Sequence, residues 1–69
     1  MIRNSTDAII TAVRMTHANM HSIVDAYRDG MRAEQEPNWI AVNAAIRERF
    51  GPVFLAGVLR RALNREETR

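Results

Sequence analysis

The chain has 69 residues, 46% of them apolar, with no cysteine and a formal net charge of +2. That length allows one small domain with a thin core, and the missing cysteines exclude disulfides and thiolate metal sites. All ten basic residues are arginine; residues 47–69 hold six of them against three acids, so the positive excess lies in the C-terminal third. No apolar run approaches the ~20 residues needed to span a bilayer, and the first residues do not read as a signal peptide, so a cytoplasmic protein that does not engage a membrane is expected.

The first element opens at "NSTD", where Asn4 is suited to cap a helix and Asp7 to sit at its positive end. Ile9, Val13, Met20, Ile23 and Tyr27 then recur at helical spacing, with Ile10, Val24 and Met31 beside them. The stripe runs over three heptads and predicts one helix from about residue 5 to about residue 34. Such a helix is about 45 Å long at the standard rise. Gly30 is a possible stop, but Met31 stays in phase, so the helix is expected to continue through it at a cost of about 1 kcal/mol relative to Ala.

"EQEPN" is a polar connection, and Asn38 can cap a second helix over about 38–50. In it Trp39, Val42, Asn43, Ile46 and Phe50 share a face. Gly51 ends this helix, and Pro52 can serve as the first residue of a third, which runs over about 53–64. The expected fold is a single all-α domain: a long amphipathic first helix followed by a two-helix hairpin. A hairpin that short leaves much of the long stripe uncovered, so a helical homodimer is expected to close it. Its interface would use Ile9, Val13, Thr16, His17, Met20, Ile23 and Val24, with the polar pair Thr16 and His17 either setting the register or marking a solvated gap in the stripe.

His17 and His21, four residues apart on one helix, have the spacing of a metal-chelating pair, with Met20 as a soft third ligand. No Asp, Glu or Cys lies within three residues of either histidine to complete the set, so neither a metal site nor any cofactor is expected. The segment "RERFGPVFLAGVLRR" invites a second reading, as a small helix-turn-helix-like DNA-binding regulator that grips phosphates with Arg60, Arg61 and Arg65. Against it, the first residues of the would-be recognition helix are Val53, Phe54 and Leu55, and the arginines come only at its far end. Nucleic acid is therefore not the expected partner. No nucleophile–base pair, phosphate-binding glycine loop or carboxylate pair emerges, so the chain does not read as an enzyme. Trp39 reads first as a core anchor; alternatively Tyr27, Arg28, Met31, Arg32 and Trp39, residue types enriched at protein interfaces, form the candidate partner-binding patch.

The overall plan, a long first helix followed by "PNWIAVNAAIRERFGPVFLAGVLRRAL", resembles the anti-quorum-sensing (antiactivator) proteins from the early region of Mu-like temperate phages that infect pseudomonads. The resemblance is carried by Trp39, Val42, Asn43, Ala45, Ile46, Arg49 and Phe50, and arginine-only basic usage suits a high-GC genome. It implies a dimeric helical protein made early in infection and acting in the host cytoplasm. It also implies binding to the DNA-binding domain of a LuxR-type quorum-sensing activator, which blocks promoter binding. A second implied target is the type IV pilus assembly ATPase, whose inhibition excludes superinfecting phages.

Overall fold

The computed structural model describes residues 5–64, and these form four α-helices and no strand. They are α1 (Ser5–Arg14), α2 (Met20–Met31), α3 (Trp39–Phe50) and α4 (Pro52–Leu63). Asn4 and Arg65 lie outside the described residues.

The single helix expected over residues 5–34 is two helices, and two devices account for the break, one local and one from a distant helix. Asn19 takes an extended backbone (φ −147°, ψ 179°). Its Oδ1 accepts from the Ser22 N–H at 2.9 Å, while its own N–H donates to Ser22 Oγ at 3.0 Å. This reciprocal capping box satisfies two backbone donors that a fresh helix start leaves open. At the other side of the break, Arg49 of α3 donates through Nη1 to the carbonyls of Val13 and Met15, each at 2.7 Å. Those carbonyls sit at the end of α1, where no intrahelical partner exists. Residues 15–18 turn between the two devices, closed by the Ala18 N–H to the Met15 carbonyl at 3.1 Å.

Because α1 and α2 separate, both halves of the apolar stripe fold onto the rest of the chain. Helix α1 packs against α2 and α3, and α4 packs against the same two, so α1 faces α4 across one diagonal and α2 faces α3 across the other. The link from α2 to α3 therefore crosses the bundle. It is fastened to the start of α1, where Ser5 Oγ donates to the Gln35 carbonyl at 2.8 Å and the Asn38 N–H donates to Thr6 Oγ1 at 2.8 Å. Side chains bridge the same diagonal: the Tyr27 and Trp39 rings stack at 4.5 Å.

The core is built from Ile9 and Val13 of α1, Ile23, Val24 and Tyr27 of α2, Val42 and Ile46 of α3, and Leu55, Val58 and Ala62 of α4. Gly30 stays inside α2, next to its last residue, and is buried. A Cβ there would lie 2.5 Å from Ile9 Cδ1, 3.1 Å from Pro37 Cγ and 3.2 Å from Trp39 Cη2, so the missing side chain is what lets three segments meet. Between α3 and α4 a single residue does all the turning. Gly51 has φ +100° and ψ 166°, a region nearly closed to other residues. Its N–H closes α3 on the Arg47 carbonyl at 2.8 Å, its carbonyl opens α4 by accepting from Leu55 at 3.1 Å, and Pro52 follows at the first helical position.

Candidate functional site

The residues assigned from sequence to a dimer seam divide between core and surface. Ile9, Val13, Ile23 and Val24 are buried within the single chain, Met20 is half-buried, and Thr16 and His17 are exposed in the turn before α2. Ile9, Val13, Ile23 and Val24 are therefore not open to a second copy in this fold, while Thr16, His17 and Met20 stay accessible. The buried members of the set are covered by the chain's own α3 and α4, and its polar members leave the stripe because the helix breaks beneath them.

The residues of the expected partner-binding patch are also drawn, in part, into the bundle. Tyr27 is buried and stacks on half-buried Trp39, and its hydroxyl donates to Asn43 Oδ1 at 3.0 Å. Burial raises the Tyr27 pKa above the ordinary 10.0, with the Asn43 bond opposing the shift. Half-buried Arg28 donates through Nη2 to the Arg61 carbonyl at 2.9 Å, at the end of α4. Met31 packs half-buried against the core, and only Arg32 is fully exposed, with Nη1 3.8 Å from Asp29 Oδ1. The aromatic pair spans the diagonal between α2 and α3, so it does not form an open patch.

The pattern from Trp39 to Phe50 has a structural explanation throughout. Trp39 stacks on Tyr27, and Asn43 takes the tyrosine hydroxyl. Val42 and Ile46 are core, and Ala45 packs beside them. Arg49 closes α1 and lies 5.0 Å from the centroid of the Phe50 ring, which stacks on Phe54 at 4.3 Å. A chain with this pattern thereby keeps this bundle, whatever its partner.

The outer face of α4 carries an exposed, partly apolar stripe. Pro52, Val53, Ala56, Arg60 and Leu63 recur at helical spacing and all are exposed, Val53 at 85% and Leu63 at 62%. Ile40, near the start of α3, is exposed at 83%. The sequence reading passed over this stripe because α4 is apolar on both faces, and one face had to be given to the core. The 53–56–60–63 spacing was the signal available.

Helix α4 also bears on the helix-turn-helix reading. That motif joins its helices through a turn of 3–4 residues and reads bases with the start of its second helix. Here one residue makes the joint, and the exposed start of α4 is Pro52 and Val53. Arg60 and Arg61 are exposed at the opposite end of the helix.

The two histidines are no longer on one helix. His17 lies in the turn, and His21 Nε2, in the first turn of α2, is 3.5 Å from Asp25 Oδ2 at the surface. Beside that pair, a groove of about 330 Å³ runs between α2 and α4, lined by Met20, His21, Val24, Asp25, Arg28 and Arg61. Among the described residues no helix is long and apolar enough to cross a membrane, and no group of three or more His, Asp or Glu is placed to hold a metal ion. No family model, curated protein or solved structure matches the chain.

Proposed function

We propose that this protein is an interaction inhibitor that acts by covering a working surface of a host regulator, and that it presents the outer face of α4 to do so. It works by binding and not by catalysis, without a cofactor, in the cytoplasm of the host cell. The observation that carries the reading is the exposed stripe of Val53, Ala56 and Leu63 on a helix whose opposite face already completes the core. Covering Val53 and Leu63 in a complex is worth together about 3 kcal/mol, more than a hundredfold in Kd.

The resemblance to phage antiactivators supplies the candidate targets. The first is the DNA-binding domain of a LuxR-type quorum-sensing activator, held off its promoter, and the second is the type IV pilus assembly ATPase. The homodimer that goes with this family forms, in the present reading, through the α4 stripe, because Ile9, Val13, Ile23 and Val24 of the seam first expected for it are core. A second copy and a regulator then compete for one face.

The test is a promoter duplex preloaded with a purified LuxR-type DNA-binding domain. The protein is expected to release the duplex, and Val53→Glu with Leu63→Glu is expected to lose that activity while melting at the same temperature. Sedimentation of wild type and the double variant reads the dimer, which the two glutamates should dissociate. Failure of the wild-type protein to capture either the activator domain or the ATPase sinks the inhibitor reading.

A further inference from the structure

The groove between α2 and α4 is lined by two arginines that have no carboxylate partner among the described residues. Arg28 comes from the last full turn of α2 and Arg61 from the last turn of α4, and both line the groove. The ion pairs among the described residues are His21 with Asp25 and Arg32 with Asp29, so neither Arg28 nor Arg61 has one there. Arg28 makes a single hydrogen bond, from Nη2 to the Arg61 carbonyl, and its Nε is buried without any acceptor. An arginine carries five donors in a fixed planar fork, so most of this one's capacity is unused. A buried donor without a partner is a standing cost to the fold.

The lining of the groove identifies the acceptor. An arginine fork matches the planar, paired oxygens of a carboxylate, and two arginines from two helices line this groove. Met20 and Val24 supply an apolar wall beside them, and Asp25 supplies a fixed negative charge at the rim. A continuous polyanion such as a nucleic-acid backbone would run against Asp25, whereas a single carboxylate beside an apolar side chain fits both features. We infer that this groove is a docking site for an acidic side chain, Asp or Glu, next to an aliphatic one on a partner polypeptide. The site adds acid recognition to the interaction role proposed above and rests on that reading only for the partner's biological identity.

The experiment is an NMR titration of the full-length protein with the capped dipeptides acetyl-Leu-Glu-amide and acetyl-Leu-Gln-amide, followed on the arginine Nε–H signals. The Glu peptide should shift the Arg28 signal saturably and bind about tenfold more tightly than the Gln peptide, as expected for losing charge-assisted bonds. Arg61→Gln should weaken the Glu peptide by a similar factor and leave the backbone spectrum in place, because only the carbonyl of Arg61 takes part in the bond from Arg28. Equal affinity for the two peptides overturns the inference, as does an Arg61→Gln variant that binds like the wild type. A short DNA duplex that displaces the peptide and binds more tightly overturns it in favour of a polyanion site. Binding that appears only after Glu66 and Glu67 are changed to Gln also overturns it, since the chain's own acids then occupy the groove. The two proposals fail separately. If the peptide binds but no regulator is captured, the groove stands and the inhibitor reading falls. If the regulator is captured equally by Arg61→Gln, the inhibitor reading stands and the groove falls.

Discussion

Replacing each of the two helical glycines by alanine tests the packing with an internal control. In a helix interior the change is worth about 1 kcal/mol in favour of Ala, and somewhat less in a last turn. At Gly57 the new methyl meets only Met20 Cε, at 3.1 Å. That is the free end of a flexible, half-buried side chain that can move aside. At Gly30 it meets Ile9, Pro37 and Trp39 at once, two of them rigid rings, and Ile9 is only 1% exposed. Overpacking of this kind costs about 1–3 kcal/mol. Gly57→Ala should therefore stabilise the protein by about 0.5–1 kcal/mol, and Gly30→Ala should destabilise it by about 1–2 kcal/mol. In a domain of this size each kcal/mol moves Tm by about 4–8 °C, so thermal melts followed by circular dichroism should move in opposite directions. If both substitutions raise Tm, α1 and the 32–38 link do not approach α2 as closely as described, and the account of Gly30 is wrong.

Arg49→Ala removes the donor from the Val13 and Met15 carbonyls and should cost about 1–2 kcal/mol in urea denaturation; Arg49→Lys, without the planar fork, should recover less than half of it. Tyr27→Phe should cost about 1 kcal/mol at neutral pH through the lost bond to Asn43. The folded-state pKa of Tyr27 is raised, so its contribution is complete below pH 10 and fades as pH rises through the folded value. Since the chain contains no lysine or cysteine, wild-type stability measured from pH 9 to 12 should fall where that of Tyr27→Phe stays nearly flat. Gly51→Ala meets no atom but keeps φ at +100°, so it should cost about 1–3 kcal/mol by backbone strain alone, read as a lower urea midpoint with an unchanged slope.

Much of the fold is local, and local features were legible. The apolar spacing in each segment marks it as helical, because a helix repeats every 3.6 residues whatever lies around it. Asn38 caps α3 by accepting from the Ala41 N–H, and Gly51 with Pro52 forms the joint, both as residue types with those roles suggest. The break at residues 15–19 was legible only in part. Asn19 and Ser22 are a helix start in miniature, but they lie inside a stripe whose phase survives the break, so periodicity alone favoured one long helix.

The candidate surface was the least legible. An apolar stripe says that a face must be covered and does not say by what. Folding α2 back against α1 covered the first stripe from within and removed the reason for a seam between subunits. Tyr27 and Trp39 have the composition of an interface, but their rings stack on each other inside the bundle, and Arg28 spends one bond on the end of α4.

The sequence by itself determined that the chain is all-helical, which residues in each helix are apolar enough to be buried, and where α3 gives way to α4. Only the tertiary structure decided that residues 5–31 form two helices, that two arginines close the ends of other helices, and that α4 is the helix left with an apolar outer face. The physical reason is range. Periodicity and end caps act within about four residues, whereas Arg49 reaches a carbonyl 36 positions away. Whether a stripe becomes core or surface depends on which distant segment covers it first.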